Sequence, residues 1–395
     1  AGTISLSSPV LAMRDSGQLQ STTAGLGDAG TIALNVGRLS LESGSRINIS
    51  TTGAGGNGRM TIHAAERIDI LGKDAAGDGS GLFARAIGEA AGAAGSITLS
   101  SPVLAVSDDG LISSSTQGIH DAGDITLDVG QISLRSDGKV NTNTWGFGDG
   151  GDLKLTSAET VTISGANSGL FANAYWAGKA GNIAIATPRL TLTDGGSITA
   201  GSIYTSGGDV VIHADHTLLQ NGGEILVSIY GDPSKSQGGD ASVNGHTLVI
   251  LDSPGISAQA VEGRGGNITV NTDVFLHNAP ILDDVLSASS EVRGNDGMVT
   301  VNSPPVNIAG TLVKAPATYL DASGQLQRRC GRMAANERNQ LTVPGRGALP
   351  PEPEGPLPES SRCAAEPVVV AESAPMPVAA HHSAQIVEPS NWGDQ

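Results

Sequence analysis

Few residues of this 395-residue chain stand at spacings that chemistry could use. Asn271-Thr272-Asp273 and Asp283-Asp284 supply carboxylates, the groups that cleave glycosidic bonds when an acid and its partner are held about 5–10 Å apart on one surface. Aspartate is also an ordinary turn former, and that is the expected role of both clusters. His213-Ala214-Asp215-His216 has the makings of a metal pair. In an uninterrupted strand residues i and i+3 face opposite sides, so the two rings converge only if a turn intervenes, and surface histidines are the expectation. No serine has glycine at both −2 and +2, which removes the hydrolase nucleophile elbow. Gly150-Gly151-Asp152, Gly207-Gly208-Asp209 and Gly238-Gly239-Asp240 lack the G-G-x-G-x-D repeat of calcium-binding coils and should shape corners instead. The expectation is a protein with no catalytic residue, no metal ligand set and no cofactor.

The aromatic residues are placed more suggestively. Trp145 and Phe147 follow Gly123 by 22 and 24 residues, and Tyr175 and Trp176 follow Gly151 by 24 and 25. Tyr204 follows Gly181 by 23 and Tyr230 follows Gly208 by 22, so six of the 11 aromatics share one window. Exposed, such a strip would stack on sugar rings or receive a partner's apolar surface; turned inward, it would anchor loops against the next coil. There is no Arg-Gly-Asp.

The window is defined by a repeat. Glycine followed by apolar residues at +2 and +4 recurs at Gly2, Gly30, Gly58, Gly95, Gly123, Gly151, Gly181, Gly208, Gly239, Gly266 and Gly297, and all 22 offset positions are apolar in a chain that is 38% apolar. Alternation of period two means a strand with one buried face, and the glycine marks the corner that feeds it. A second alternating segment such as Leu39-Ser40-Leu41 and a third such as Ile47-Asn48-Ile49 complete one coil. Three short strands per coil, with no helical period, predict an all-β fold: a single-stranded parallel β-helix of about eleven coils over 1–310, expected to be right-handed. At about 4.8 Å per coil the stack would be a rod roughly 50 Å long.

A longer duplication overlies the short repeat. Ile4–Ala12 returns 93 residues later as Ile97–Ala105, and Ser80-Gly81-Leu82-Phe83-Ala84 returns as Ser168-Gly169-Leu170-Phe171-Ala172. The coil from Gly58 to Gly95 has 37 residues, and its surplus is expected in the Ala/Gly-rich stretch 86–94. The first coil begins at Ala1 without a cap, which predicts further coils upstream. Residues 311–349 lose the repeat and read as a Cys-containing capping segment; 350–395 read as a Pro-rich, disordered tail.

Composition narrows the partners. Against 39 acidic residues stand 22 basic ones, a net charge of −17, which disfavours nucleic acid and anionic membrane surfaces. No run of about 18 apolar residues encodes a transmembrane helix. Cys330 and Cys363 permit one disulfide in an oxidising compartment, but the sequence does not demand it.

Two features together resemble the filamentous haemagglutinin family, the exoproteins of bacterial two-partner secretion. One is the run of Gly-x-Ile-x-Leu coils. The other is the ending, Cys330 followed by Gly345-Arg346-Gly347-Ala348-Leu349-Pro350-Pro351-Glu352-Pro353. The resemblance implies a secreted, surface-exposed filamentous adhesin without enzyme activity, exported through an outer-membrane pore and binding a glycan or protein on a host or neighbouring cell. The N-terminal domain that such a pore recognises is not among these residues, so export belongs to a longer parent protein.

Two alternatives stay open. Parallel β-helices include pectin-degrading enzymes, and the acidic clusters at Asp273 and Asp283-Asp284 invite a polysaccharide-active reading. The second pair follows the first too closely for the polygalacturonase pattern, and neither a Gly-His-Gly nor an Arg-x-Lys completes the set. An autotransporter passenger would need a membrane barrel of alternating strands, which the Pro-rich tail does not contain.

Overall fold

The computed structural model describes residues 1–303 and 305–307, except 57 and 231–235. These residues are strand and turn almost throughout, with one 3-10 turn at Leu282–Asp284. One parallel sheet stacks the long strands, from Thr3–Met13 through Ile268–His277, and ends in Val299–Val301 and Pro305–Asn307. A second parallel sheet stacks ten short strands, from Gln18–Gln20 to Leu286–Ser287. Ten coils therefore close and an eleventh begins. The fold is a β-solenoid, the parallel β-helix that the repeat predicts.

The register explains why the +2 and +4 positions are apolar. Ile4 pairs with Ile32, Ile32 with Met60 and Met60 with Ile97, and the column continues through Ile125, Leu153, Ile183, Val210, Ala241 and Ile268 to Val299. Like side chains stack on like at every coil, and the inner columns form one continuous apolar core. Each coil contacts its neighbours alone, so the core has to be renewed in every repeat.

The structure corrects two expectations. The first two alternating segments are not separate strands: Thr31–Glu42 is one continuous strand that turns a corner. Its buried residues are 32, 34 and 36, then 39 and 41, so the inward phase slips by one where two neighbours, Gly37 and Arg38, both point outward. Each coil thus has one long bent strand, one short strand and, on its third edge, a single bridge in the column Thr116, Thr144, Ala174, Ser202 and Ile229.

The second correction concerns the 37-residue coil. Its long and short strands are joined by nine residues, 72–80, where the preceding coil uses three, 43–45. Most of the surplus sits there rather than in 86–94. Asp74 closes this loop by accepting the N–H groups of Ala76 and Asp78 on Oδ1, both at 2.9 Å. Turn chemistry around Asp74 and Gly77, not small-residue content, marked the insertion.

The recurring glycine has a steric cause. A Cβ at Gly181 would overlap the carbonyl oxygen of Gly151, and the same overlap recurs between Gly208 and Gly181 and between Gly239 and Gly208. The residue after each glycine completes the corner. Asp124, Asp152, Asn182, Asp209, Asp240 and Asn267 each accept, on Oδ1, the backbone N–H of their counterpart one coil on, at 2.7–3.1 Å. The three Gly-Gly-Asp aspartates are thereby occupied in joining coils.

The duplication is visible contact by contact. Ser8 Oγ donates to the Val10 carbonyl and Ser101 Oγ to that of Val103, both at 2.9 Å. A Cβ at Gly37 would strike the Pro9 carbonyl, as one at Gly130 would strike that of Pro102. The segments 311–349 and 350–395, with Cys330, Cys363 and the motif Gly345, Arg346, Gly347, Leu349, Pro350, Pro351 and Pro353, lie outside the described residues.

Candidate functional site

The third edge of the coil carries the aromatic residues, and its backbone is tightly held. Thr144 Oγ1 donates to the Gly148 carbonyl at 2.7 Å and accepts the Gly146 N–H at 3.3 Å, pinning the turn that bears Trp145 and Phe147. The turns also stack directly: the Trp145 N–H donates to the Thr116 carbonyl, that of Tyr175 to Thr144 and that of Tyr230 to Ser202, at 2.8–3.1 Å. A Cβ at Gly146 would overlap the Gly118 carbonyl, and one at Gly178 that of Gly148. Glycine here lets successive turns sit in contact, and contact keeps their side chains in register.

That register brings the rings together. Trp145 lies parallel to Tyr175, with centroids 4.0 Å apart and planes 17° apart. Trp176 meets Tyr204 edge to face at 5.2 Å and 72°. Trp145, Phe147, Trp176, Tyr204 and Tyr230 are between 48% and 59% exposed, while Tyr175, beneath Trp145, is half-buried. The strip therefore faces outward. Ile87 and Ile119, also exposed, occupy the same edge in the two coils before Trp145. Aliphatic residues carry no spacing signal among 38% apolar positions, which is why the sequence did not single them out.

Tyr175 also borders a groove on the outward face of the short-strand sheet, lined by Lys139, Asn141, Phe171, Thr199 and Glu224 among others. Burial raises the Glu224 pKa above the ordinary glutamate value, and a hydrogen bond with Ser197 partly opposes it. No sequence pattern marked this groove, because its residues come from four separate coils.

Comparison with models of protein families, with characterised proteins and with solved structures finds no match to this chain.

The other candidates take ordinary places. His213 and His216 are both exposed, since the corner at Asp215-His216 intervenes between them and reverses the strand phase. No group of three metal-binding side chains occurs among the described residues. Asp273 is exposed and accepts His246 Nδ1 at 2.8 Å, a bond that raises the histidine pKa. Asp283 and Asp284 belong to the 3-10 turn before the last short strand, where Asp284 Oδ2 accepts the Ile281 N–H at 3.4 Å. The two acidic clusters thus sit on different segments of the coil, Asp273 within a long strand. No helix of the described residues is long and apolar enough to cross a membrane.

Proposed function

We propose that this chain is the coil stack of a secreted, surface-displayed adhesin of the filamentous haemagglutinin type, and that its aromatic edge is the part that adheres. The observation carrying this reading is the outward strip of Trp145, Phe147, Trp176, Tyr204 and Tyr230, with Tyr175 stacked on Trp145, over four consecutive coils. A row of exposed rings leaves apolar surface in water at a cost, and such a row marks a place where another surface is received. Aromatic faces suit the C–H faces of sugars as well as apolar protein side chains.

Export by a two-partner secretion pore fits the same architecture. Contacts run only between adjacent coils, so a chain emerging from a pore can fold coil by coil without waiting for distant segments. Folding on the outer side would then draw the chain forward.

The test replaces Trp145 and Trp176 with alanine and measures binding to cells and to immobilised glycans. Binding is expected to fall about tenfold or more, in line with the loss of central aromatic anchors. Unchanged binding would sink the adhesive role of this edge.

A further inference from the structure

A groove of about 340 Å³ crosses four coils on the short-strand face, from Lys139 to Glu224. That volume lies at the lower end of the roughly 300–1,000 Å³ typical of small-molecule sites. Its floor, Phe171, is a product of the duplication. Phe83 and Phe171 stand in one column of the short-strand ladder, linked through Ser113 and Asn141. Each ring folds back over the glycine two residues earlier: a Cβ at Gly81 would stand 2.8 Å from Phe83 Cζ, and one at Gly169 would stand 2.7 Å from Phe171 Cζ. A phenyl ring laid flat in this way offers a whole face outward.

The two faces meet different fates. Over Phe83 lie two guanidinium groups, with Arg85 Cζ 4.4 Å and Arg46 Cζ 5.5 Å from the ring centroid, and the residue is 3% exposed. At the corresponding places in the second copy stand Lys139 and Asn173. Asn173 turns into the corner instead, accepting the Gly201 N–H at 2.9 Å and donating to Tyr175 Oη at 3.3 Å. Among the described residues no cation covers Phe171, which is half-buried where Phe83 is buried. The same backbone device is closed in one copy and open in the other.

The rim of the open copy specifies what fits. Asn141, one strand before Phe171, contributes an amide to the same rim. On the other side of Phe171, in the next strand, Ser197 and Thr199 place hydroxyls 2.8 Å apart. Lys139 Nζ lies 3.9 Å from Asp137 Oδ1 and burial disfavours the Glu224 carboxylate, so the rim offers no strong free charge to an ion. A flat C–H face with a surrounding rim of hydroxyls is the shape of a pyranose ring. We propose that this groove is a binding site for neutral pyranosides, with Phe171 as stacking platform, Tyr175 as wall and the Ser197 and Thr199 hydroxyls as rim partners. The assignment rests on the adhesive reading and gives it a ligand class.

Saturation-transfer NMR on the whole chain tests it, with methyl β-glucopyranoside, methyl β-galactopyranoside and N-acetylglucosamine as probes and glucuronate as the charged comparison. At least one neutral probe is expected to bind. Phe171→Ala and the double variant Lys139→Arg/Asn173→Arg, which rebuilds the lid that covers Phe83, should each weaken that binding at least tenfold. Leu26→Ala, at an exposed residue of the first coil, should leave it intact. The double variant restores a combination that the first copy already accommodates, so it separates lost binding from lost folding. Failure of every neutral probe, binding of glucuronate alone, or neutral binding unaffected by the double variant overturns the site. Should Trp145→Ala/Trp176→Ala abolish cell binding while no neutral probe binds, the adhesive edge stands and the groove assignment falls.

Discussion

Single residues decide what this repetitive scaffold offers to solvent. Phe83 and Phe171 have the same local sequence and the same place in the ladder, yet only the second is open, because position +2 is arginine in one copy and asparagine in the other. Glu224 shows the same sensitivity in its charge. Burial disfavours its carboxylate, so its folded pKa lies above the unfolded value of 4.5. A raised carboxyl contributes stability that is full below the unfolded pKa and is lost as pH rises through the folded one. Glu224→Gln is therefore expected to raise the urea midpoint at pH 7 and to change it little at pH 4. An equal midpoint at pH 7 would mean that water reaches the carboxylate freely.

Corners are the elements that carry the architecture. Long strands turn by placing two or more consecutive residues outward, and following coils are fixed by a glycine against the previous coil's carbonyl and by an Asx side chain against its own successor. Gly181 is in the middle of this column, and the atoms its Cβ would meet are backbone, which cannot move aside. Gly181→Ala should destabilise the fold by about 1–3 kcal/mol, the usual range for forcing an extra carbon into packed structure. Gly27, with nothing within 4 Å of its Cβ position, is the control. Urea denaturation should separate the two variants, and equal midpoints would remove the steric account of the repeat.

At the scale of the whole stack, stability is a sum of neighbour contacts. The strand Thr3–Met13 has one neighbour, Thr31–Glu42, and its inward residues Ile4, Leu6, Leu11 and Met13 remain partly exposed. Ile125–Arg135 has a neighbour on each side and fully buried inward residues. In the 395-residue chain taken by itself, hydrogen exchange is expected to be at least about tenfold faster in the first strand, since opening free energy grows with the contacts broken. Uniform protection along the stack would indicate a single cooperative unit. The charge of −17 belongs to this scale too, as a property of the surface as a whole rather than of any site.

The amino-acid sequence by itself determined the coil. The glycine with apolar residues at +2 and +4 was legible because a parallel ladder forces identical positions into one column, and a column tolerates only what fits at every level. It also located the aromatic edge, since a constant offset from that glycine is a constant place on the coil. Tertiary structure alone decided the rest. Whether the rings faced water depended on turns that stack through Gly146 and Gly178, contacts between residues about 30 apart in the chain. Asn141, Phe171, Thr199 and Glu224 share no motif, and only stacking makes them neighbours. The corner between Asp215 and His216 set both His213 and His216 outward, against the simple alternation of a straight strand. Periodicity records what every coil has in common; a site is made of what neighbouring coils do not share.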